Sequence, residues 1–299
     1  MNSPSAPGRL AILGVGLIGG SLALAARAAG ACGEIVGWGR RPQGLAEAQQ
    51  LGVIDWGSTD LAEVVTGADV VVLAVPPGSM EPLFQGLVGL LAPTSVLTDV
   101  GSTKGSVVAA ARRAFNPLPE GFVPGHPIAG IERSGVAAAF PGLFQGRRVI
   151  LTPVAESAPA AVDRVRTLWQ ACGAEVVEMG VEHHDEVLAA TSHLPHLLAF
   201  SLVDALARMD DSWEIFRYAA GGFRDFTRIA GSDPVMWRDI CLANRSHLLA
   251  MVDRYRQELD RVTAAMSAGD GAALHDLFSN ARQAREHFLR WLEESNARR

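Results

Sequence analysis

His126 is placed to take a proton and give it back. It lies in Gly125-His126-Pro127-Ile128-Ala129-Gly130, bracketed by glycines and a proline. An imidazole titrates near neutral pH, so it can act as a general base without extreme tuning. Ser102, in Asp99-Val-Gly-Ser-Thr-Lys-Gly105, offers a hydroxyl that donates and accepts. Arg228 closes the charged, aromatic stretch Gly221-Gly-Phe-Arg-Asp-Phe-Thr-Arg228. Its planar fork suits a carboxylate, and Asp225, three residues earlier, either orients it or pairs with it locally. His193 and His196 fall on one helix face in Ser192-His-Leu-Pro-His196. No cysteine or third ligand accompanies them, so no metal site is expected. A core histidine bonded to a backbone carbonyl freed by Pro195 is the simpler use of one of them.

These side chains need a scaffold, and the first half of the chain reads as one. Residues 10–13 form an apolar strand pattern, followed at once by Gly14-Val15-Gly16-Leu17-Ile18-Gly19 and an Ala/Leu-rich helix to about Ala29. Glycines permit the tight turn and the close approach of a pyrophosphate, and the helix N-terminus supplies N–H donors. A second strand, Glu34–Trp38, follows at the spacing of a dinucleotide-binding unit. In an NAD site an acid would be expected at the end of that strand. The sequence there is Trp38-Gly39-Arg40-Arg41. Two guanidinium groups match a 2′-phosphate, so NADP is preferred over NAD. The alternative is that Arg40 and Arg41 stack on the adenine and NAD is used. The near-continuous apolar run 69–77 is a buried parallel strand whose end, Val75-Pro76-Pro77, stops the ladder beside the cofactor. Strand 95–100 leads to Ser102 and Thr103, candidate N-caps of the next helix, with Ser102 also facing the ligand crevice. Phe122-Val123-Pro124 then leads into the loop carrying His126. Strand 148–152, helix 160–172 and strand 174–179 complete this half.

Beyond residue 180 the patterns are helical. Residues 181–208 make one long helix that Pro195 should kink at its middle. Asp233-Pro234 reads as N-cap and first position of a helix running to about Ser267, roughly 50 Å long. Leu248, Tyr255 and Val262, and Val252, Leu259 and Met266, make an apolar stripe along it. So long a helix in a small domain packs against a second subunit, which predicts a homodimer through the C-terminal helices. Gly269-Asp270-Gly271 breaks it before a last helix over 272–294. The fold class is therefore α/β: a Rossmann-type doubly wound sheet over 1–179, then an all-α substrate and dimerisation domain over 180–299.

Of the 299 residues, 48% are hydrophobic and 19% charged, the balance of a packed protein rather than a disordered one. The net charge of −6 excludes the basic surface a nucleic acid or an anionic membrane would select. Apolar runs are strand-length, so no transmembrane helix is expected. The Ser/Pro-rich start, residues 1–9, lacks the apolar core of a signal peptide. Cys32, Cys172 and Cys241 are scattered and odd in number, which fits a reduced cytoplasmic setting.

A nicotinamide site, a histidine base, a serine and an arginine from a second domain suit oxidation of an alcohol on a carboxylate-bearing substrate. At this point the chain resembles the prephenate/arogenate (cyclohexadienyl) dehydrogenase family of tyrosine biosynthesis. The resemblance rests on the Gly14 turn, Asp99–Gly105, Gly125–Gly130, Ser192–His196, Gly221–Arg228 and Ser232-Asp-Pro-Val-Met-Trp-Arg238, in the family's order and over nearly the whole chain. It implies oxidative decarboxylation, with hydride leaving the ring carbon that bears the 4-hydroxyl and CO2 lost as the ring becomes aromatic. It also implies that His126 takes the 4-hydroxyl proton, that Ser102 bonds the same hydroxyl or holds the imidazole, and that Arg228, with Asp225 near it, binds a substrate carboxylate. His196 and Trp237 match positions lining that pocket, His193 belongs to the same motif, and Glu132 matches a position that orders its mouth. The chain stops after the helical domain, without a regulatory module, so inhibition by tyrosine is expected at or near the active site. A β-hydroxyacid or imine-type dehydrogenase is the nearest alternative, but those lean on a lysine in the helical domain. The only lysine here is Lys104, in the N-terminal half. A non-catalytic NADP-sensing module is the alternative from another class.

Overall fold

Alternating β and α patterns in the first half build a parallel sheet in the computed structural model, which describes residues 7–210 and 212–297, the side chains of 212, 213 and 295–297 excepted. Residues 1–6 of the Ser/Pro-rich start and the last two residues of the polar tail lie outside the described residues. The chain runs β1 (Arg9–Leu13), α1 (Leu17–Ala28), β2 (Glu34–Trp38), α2 (Pro42–Gln50), β3 (Trp56–Ser58), α3 (Leu61–Val65), β4 (Val70–Leu73), α4 (Met80–Leu87), β5 (Val96–Asp99), α5 (Gly105–Ala114) and β6 (Phe122–Val123). These strands make one six-stranded sheet in the order β3-β2-β1-β4-β5-β6, parallel throughout. That is the dinucleotide-binding order, with its crevice at the C-terminal ends of β1 and β4. Both faces are covered. Leu10, Ile12, Val70 and Val72 enter one buried cluster, and Ala11, Leu13, Val71 and Leu73 enter the other. Strands buried on both sides cannot alternate polar with apolar, which is why β4 reads as an unbroken apolar run.

The next strands leave that sheet. β7 (Gly125–Pro127), β8 (Arg148–Leu151) and β9 (Glu175–Glu178) form a second sheet, with helix α6 (Pro159–Ala171) between the last two. β7 runs antiparallel to β8 and pairs His126 with Ile150. The expected loop at His126 is therefore a strand. Backbone pairing with β8 at both ends of the segment decides this: Ile128 N donates to Arg148 O and Thr152 N to Pro124 O, at 2.8 and 2.9 Å.

After β9 all described elements are helical: α7 (Val181–Leu188), α8 (Leu194–Ala207), α9 (Ser212–Arg217), α10 (Gly221–Thr227), α11 (Pro234–Ala243), α12 (Arg245–Ala268) and α13 (Gly271–Ala297). At Pro195, the second residue of α8, the expected single helix changes type. The turn before it, Ala189–His193, is a π-helix. Widening the turn relieves the clash between the proline ring and the preceding carbonyls, and it re-aims His193. The run Val181–Ala207 is long and apolar enough, by length and composition, to cross a membrane, which the strand-length apolar stretches did not suggest. Its His184, Asp185 and His193 are nevertheless buried in the protein's own interior. By packing, residues 1–248 make one compact unit and residues 249–299 a second. Within the second, Tyr255, Leu259, Met266, Phe278 and Phe288 are exposed.

The single helix expected over 233–267 is two helices. It starts as expected, with Asp233 accepting from Val235 N and Met236 N at 2.7 and 3.0 Å and Pro234 at the first position. It breaks at Asn244, whose backbone leaves helical geometry at φ −109°, ψ 33°. The Asn244 amide is buried and bonded to Asp185 O at 2.8 Å, and that tertiary contact outweighs helix continuity. Removing the cap at the other end, by Asp233→Ala, should lower stability by about 1 kcal/mol. Urea denaturation reads it as a lower midpoint with an unchanged slope.

Candidate active site

The glycine turn is shaped by what has no room beside it. Gly14 has φ +106°, and a Cβ there would lie 2.4 Å from Ala74 O. A Cβ on Gly19 would lie 2.3 Å from Gly14 O, while one on Gly16 meets nothing within 4 Å. Two glycines therefore draw the turn against β4, and the third leaves open space over the N-terminus of α1. No side chain caps that terminus. Its free amides and positive dipole end are suited to a diphosphate. A cleft of about 310 Å³ lies in front, lined by Gly14, Gly16, Trp38, Arg40, Arg41, Val75 and Pro76 among others. Leu17, Ile18 and Gly19 form the first turn of α1 behind it. The cleft also holds Glu47, from α2. Attention to the end of β2 missed this acid, because it reaches the site from the following helix. The residues present fit a dinucleotide.

His126 is buried, and a chain of polar contacts runs from it into the helical region. Its Nδ1 lies 2.9 Å from His184 Nε2. His184 Nδ1 lies 2.8 Å from Asp185 Oδ1. Asp185 then accepts the backbone N–H groups of Lys104 and Gly105, both at 2.8 Å. Ser102 and Thr103 were expected as caps for α5, but neither caps it. The carboxylate of Asp185, from α7, does so instead. Thr103 is buried and bonded to Ser106 at 2.8 Å. Lys104 is wholly buried and ion-paired with Asp99, and its ammonium donates to Gly125 O at 2.6 Å. Asp99 Oδ1 accepts Gly125 N at 3.2 Å. The residue before His126 is thus held through both its backbone N–H and its carbonyl.

Burial depresses the imidazoles. His126 is pushed well below its ordinary pKa by desolvation first, then by His184, the Lys104 charge and His193. His184 is lowered by burial against the opposing bond to Asp185. His193 falls to about 4, again chiefly by burial. Burial pushes Asp185 up, but the His184 bond and the two backbone amides win, and its pKa ends below the usual carboxylate value. Near pH 7 the site therefore holds neutral histidines and an ionised aspartate.

The remaining predicted residues divide into two groups. His193, His196 and Trp237 come together. Trp237 stacks on His196 with ring centroids 3.7 Å apart, and lies edge-on to His193 at 6.2 Å. His196 Nδ1 donates to the carbonyl of Ser192 at 2.9 Å; His196 is half-buried and that carbonyl is four residues before His196, not before Pro195, so this is not the expected core histidine on a carbonyl freed by the proline. His193 Nδ1 lies 3.1 Å from Asn244 Nδ2, which also donates to Asp185 O. The amide nitrogen can only donate, so His193 Nδ1 accepts and its proton sits on Nε2. Among the described residues, that Nε2 and Trp237 Nε1 are buried donors without a hydrogen-bond partner. Ser102 is half-buried at the end of β5, with its carbonyl toward His193. Arg228, in contrast, is exposed, and its partner is Glu132, in the segment after β7, rather than Asp225. The Asp225 carboxylate forms no hydrogen bond or ion pair among the described residues. His184, Asp185, Lys104 and Asn244 are site residues that sequence reasoning missed. The adjacent His184-Asp185 pair and the sequence's only lysine, 81 residues before Asp185, were the available signals, and they connect only when α7 docks on α5.

Comparison with known proteins shows what the chain as a whole is similar to. Residues 22–178 match the family model described as prephenate dehydrogenase, nucleotide-binding domain, and residues 180–280 match the prephenate dehydrogenase dimerization domain. The chain is 36% identical to the cyclohexadienyl dehydrogenase of Zymomonas mobilis over 279 residues, covering 92% of this chain and 94% of that protein. It is 37% identical to the prephenate dehydrogenase of Bacillus subtilis over 277 residues, covering 92% and 74%. Among solved structures, prephenate dehydrogenase from A. aeolicus in complex with hydroxyphenyl propionate and NAD+ superposes with a TM-score of 0.88 at 35% identity, covering 94% of this chain and 98% of that one.

The depressed histidines carry a sign for stability. Their folded pKa values lie below the unfolded value near 6.5, so the unfolded chain binds more protons as pH falls below it. Stability is full above about pH 6.5 and declines toward pH 4. His193 alone should remove about 2 kcal/mol at pH 5. Thermal melts at pH 7.5 and 5.0 test this, with the lower Tm expected at pH 5.0.

Proposed function

The chain belongs to the prephenate dehydrogenase family, and we propose that His126 is the base of its reaction. It is an oxidoreductase of tyrosine biosynthesis that catalyses NAD(P)-dependent oxidative decarboxylation of a prephenate-type substrate. One observation carries the residue assignment. His126 is buried and kept neutral, its Nδ1 is engaged by His184, and its Nε2 makes no hydrogen bond among the described residues. A neutral imidazole with one free nitrogen can take the 4-hydroxyl proton as hydride departs. The nicotinamide, when bound, supplies the hydride acceptor. Loss of CO2 then lets the ring become aromatic, so the protein mainly aligns the reactants and places the base.

Ser102 is assigned to the same hydroxyl or to the nicotinamide side of the cleft. Trp237 and His193, as unpartnered buried N–H donors, are assigned to the substrate's side chain beside His196. Arg228 is assigned to a substrate carboxylate, which would replace Glu132 as its partner, with Asp225 nearby. On this reading the substrate is prephenate, arogenate or both. Tyrosine keeps the 4-hydroxyl and the side-chain carboxylate, and is proposed as an inhibitor at the same site. The division into 1–179 for the dinucleotide and 180–299 for substrate and dimerisation is part of the proposal. The exposed apolar side chains of α12 and α13 support a homodimer. The free Cys32, Cys172 and Cys241 support a cytoplasmic setting.

NADP is the proposed preferred cofactor, supported by Arg40 and Arg41 in the cleft lining. Replacing both by alanine should raise KM for NADP at least tenfold and change KM for NAD little. Equal effects on the two cofactors would remove the preference. For the base, His126→Asn should lower kcat by about 10²-fold or more, with substrate KM within a few-fold. Reduced cofactor is followed by absorbance with prephenate and with arogenate, and a near-normal rate would take His126 out of its role.

A further inference from the structure

The contacts of Asp185 leave the protons on His126 and His184, whose rings meet edge-to-face, no freedom. Asp185 is buried and ionised, so it only accepts. Two of its three hydrogen-bond partners are backbone N–H groups, those of Lys104 and Gly105, whose donor character cannot change. The third is His184 Nδ1, at 2.8 Å, which must carry a proton to face a carboxylate. Neutral His184 then presents a lone pair at Nε2. That nitrogen lies 2.9 Å from His126 Nδ1, so His126 Nδ1 must donate. Neutral His126 protonated on Nδ1 has its lone pair on Nε2, the nitrogen without a protein partner. The opposite tautomer would set two desolvated lone pairs against each other.

We propose that Asp185 and His184 are a positioning pair that locks His126 in its Nδ1–H tautomer, so that Nε2 is the base for the substrate hydroxyl. The inference rests on the reading of His126 as base. In the step it serves, the substrate O–H bond breaks and an N–H bond forms at Nε2, the oxygen keeps the electron pair, and His126 gains one proton and one positive charge. The hydride and its electron pair go to the cofactor, and no proton leaves His126 for His184. The new imidazolium keeps its Nδ1–H bond to His184, which is polarised toward it by the Asp185 carboxylate. Charged and titratable neighbours act on both rings. Lys104 and His193 face His126, and Lys104, Asp99 and Asp185 face His184. Lys104 disfavours the imidazolium, and the negative charge of Asp185 offsets it.

The pair also connects distant parts of the site. The carboxylate that orients His184 is the one that caps α5, the helix following Ser102. The placement of the serine and the tautomer of the base therefore depend on one group.

The test uses the full chain labelled with 15N-histidine, with His126 assigned by difference from His126→Asn. At pH 8, ring-nitrogen shifts should place the His126 proton on Nδ1. A proton on Nε2 overturns the proposal, whatever the enzyme turns over. His184→Leu removes the acceptor and keeps the bulk, and should shift His126 toward the Nε2–H form. It should also lower kcat about 10²-fold, with substrate KM and cofactor binding within about twofold. His184→Gln keeps an acceptor oxygen and should recover most of the loss. Equal losses in Leu and Gln would mean a packing role only, and unchanged kcat in both would also overturn the proposal. If the tautomer is as stated but no substrate turns over, the reading of the reaction fails and the positioning pair stands.

Discussion

Lys104 carries its charge in the interior with none of its surface exposed. A buried charge is tolerated only when it is paired and every donor has an acceptor. Here the ammonium lies between Asp99, at the end of β5, and the carbonyl of Gly125, at the start of β7. Asp99 in turn accepts the N–H groups of Gly101 and Gly125. Breaking either partner would strand a charge, so the spacing between the ends of β5 and β7 is held tightly. The first of these ends leads to Ser102 and the second carries His126. The relative position of the serine and the imidazole is therefore set by electrostatic compensation beneath them.

The same residue reaches the helical region through its backbone. The N–H of Lys104 is accepted by Asp185, 81 residues later, and Asp185 also orients His184. The carbonyl of Asp185 is bonded by Asn244, which breaks the long helix in order to reach it. A polar network running from Asp99 to Asn244 thus crosses from sheet to helices without an exposed link. Such a network fixes geometry because its shared groups are buried and bonded to one another. The members left over are informative. His193 Nε2 and Trp237 Nε1 are buried donors without acceptors, at the end of the network beside His196.

The outer parts are built differently. The Arg228–Glu132 pair is exposed on both sides. Pairs of this kind contribute little to stability and exchange partners easily. That suits the role proposed for Arg228, in which a substrate carboxylate replaces Glu132. Rigidity is concentrated around the base, and adaptability lies at the rim.

Much of this could be read along the chain. The glycine turn after β1 is a local device, since tight turn, open space and helix start all follow within a few residues. The apolar run of β4, the cap at Asp233 and the backbone distortion at Pro195 are equally local, and each is found where its residues imply. His126, Ser102 and Arg228 could be singled out by residue type and motif. What the sequence did not reveal was their surroundings. His184 is 58 residues from His126, and the carboxylate that caps α5 comes from another helix. Arg228 chose Glu132, 96 residues away, over Asp225, three residues away. Local sterics and capping act within a helical turn, so the sequence alone determined most of the elements and the dinucleotide turn, and singled out His126 by type and motif. Which buried donor meets which acceptor depends on how the helices dock on the sheet, and only the tertiary structure decided the break at Asn244 and the burial and polar partners of that imidazole.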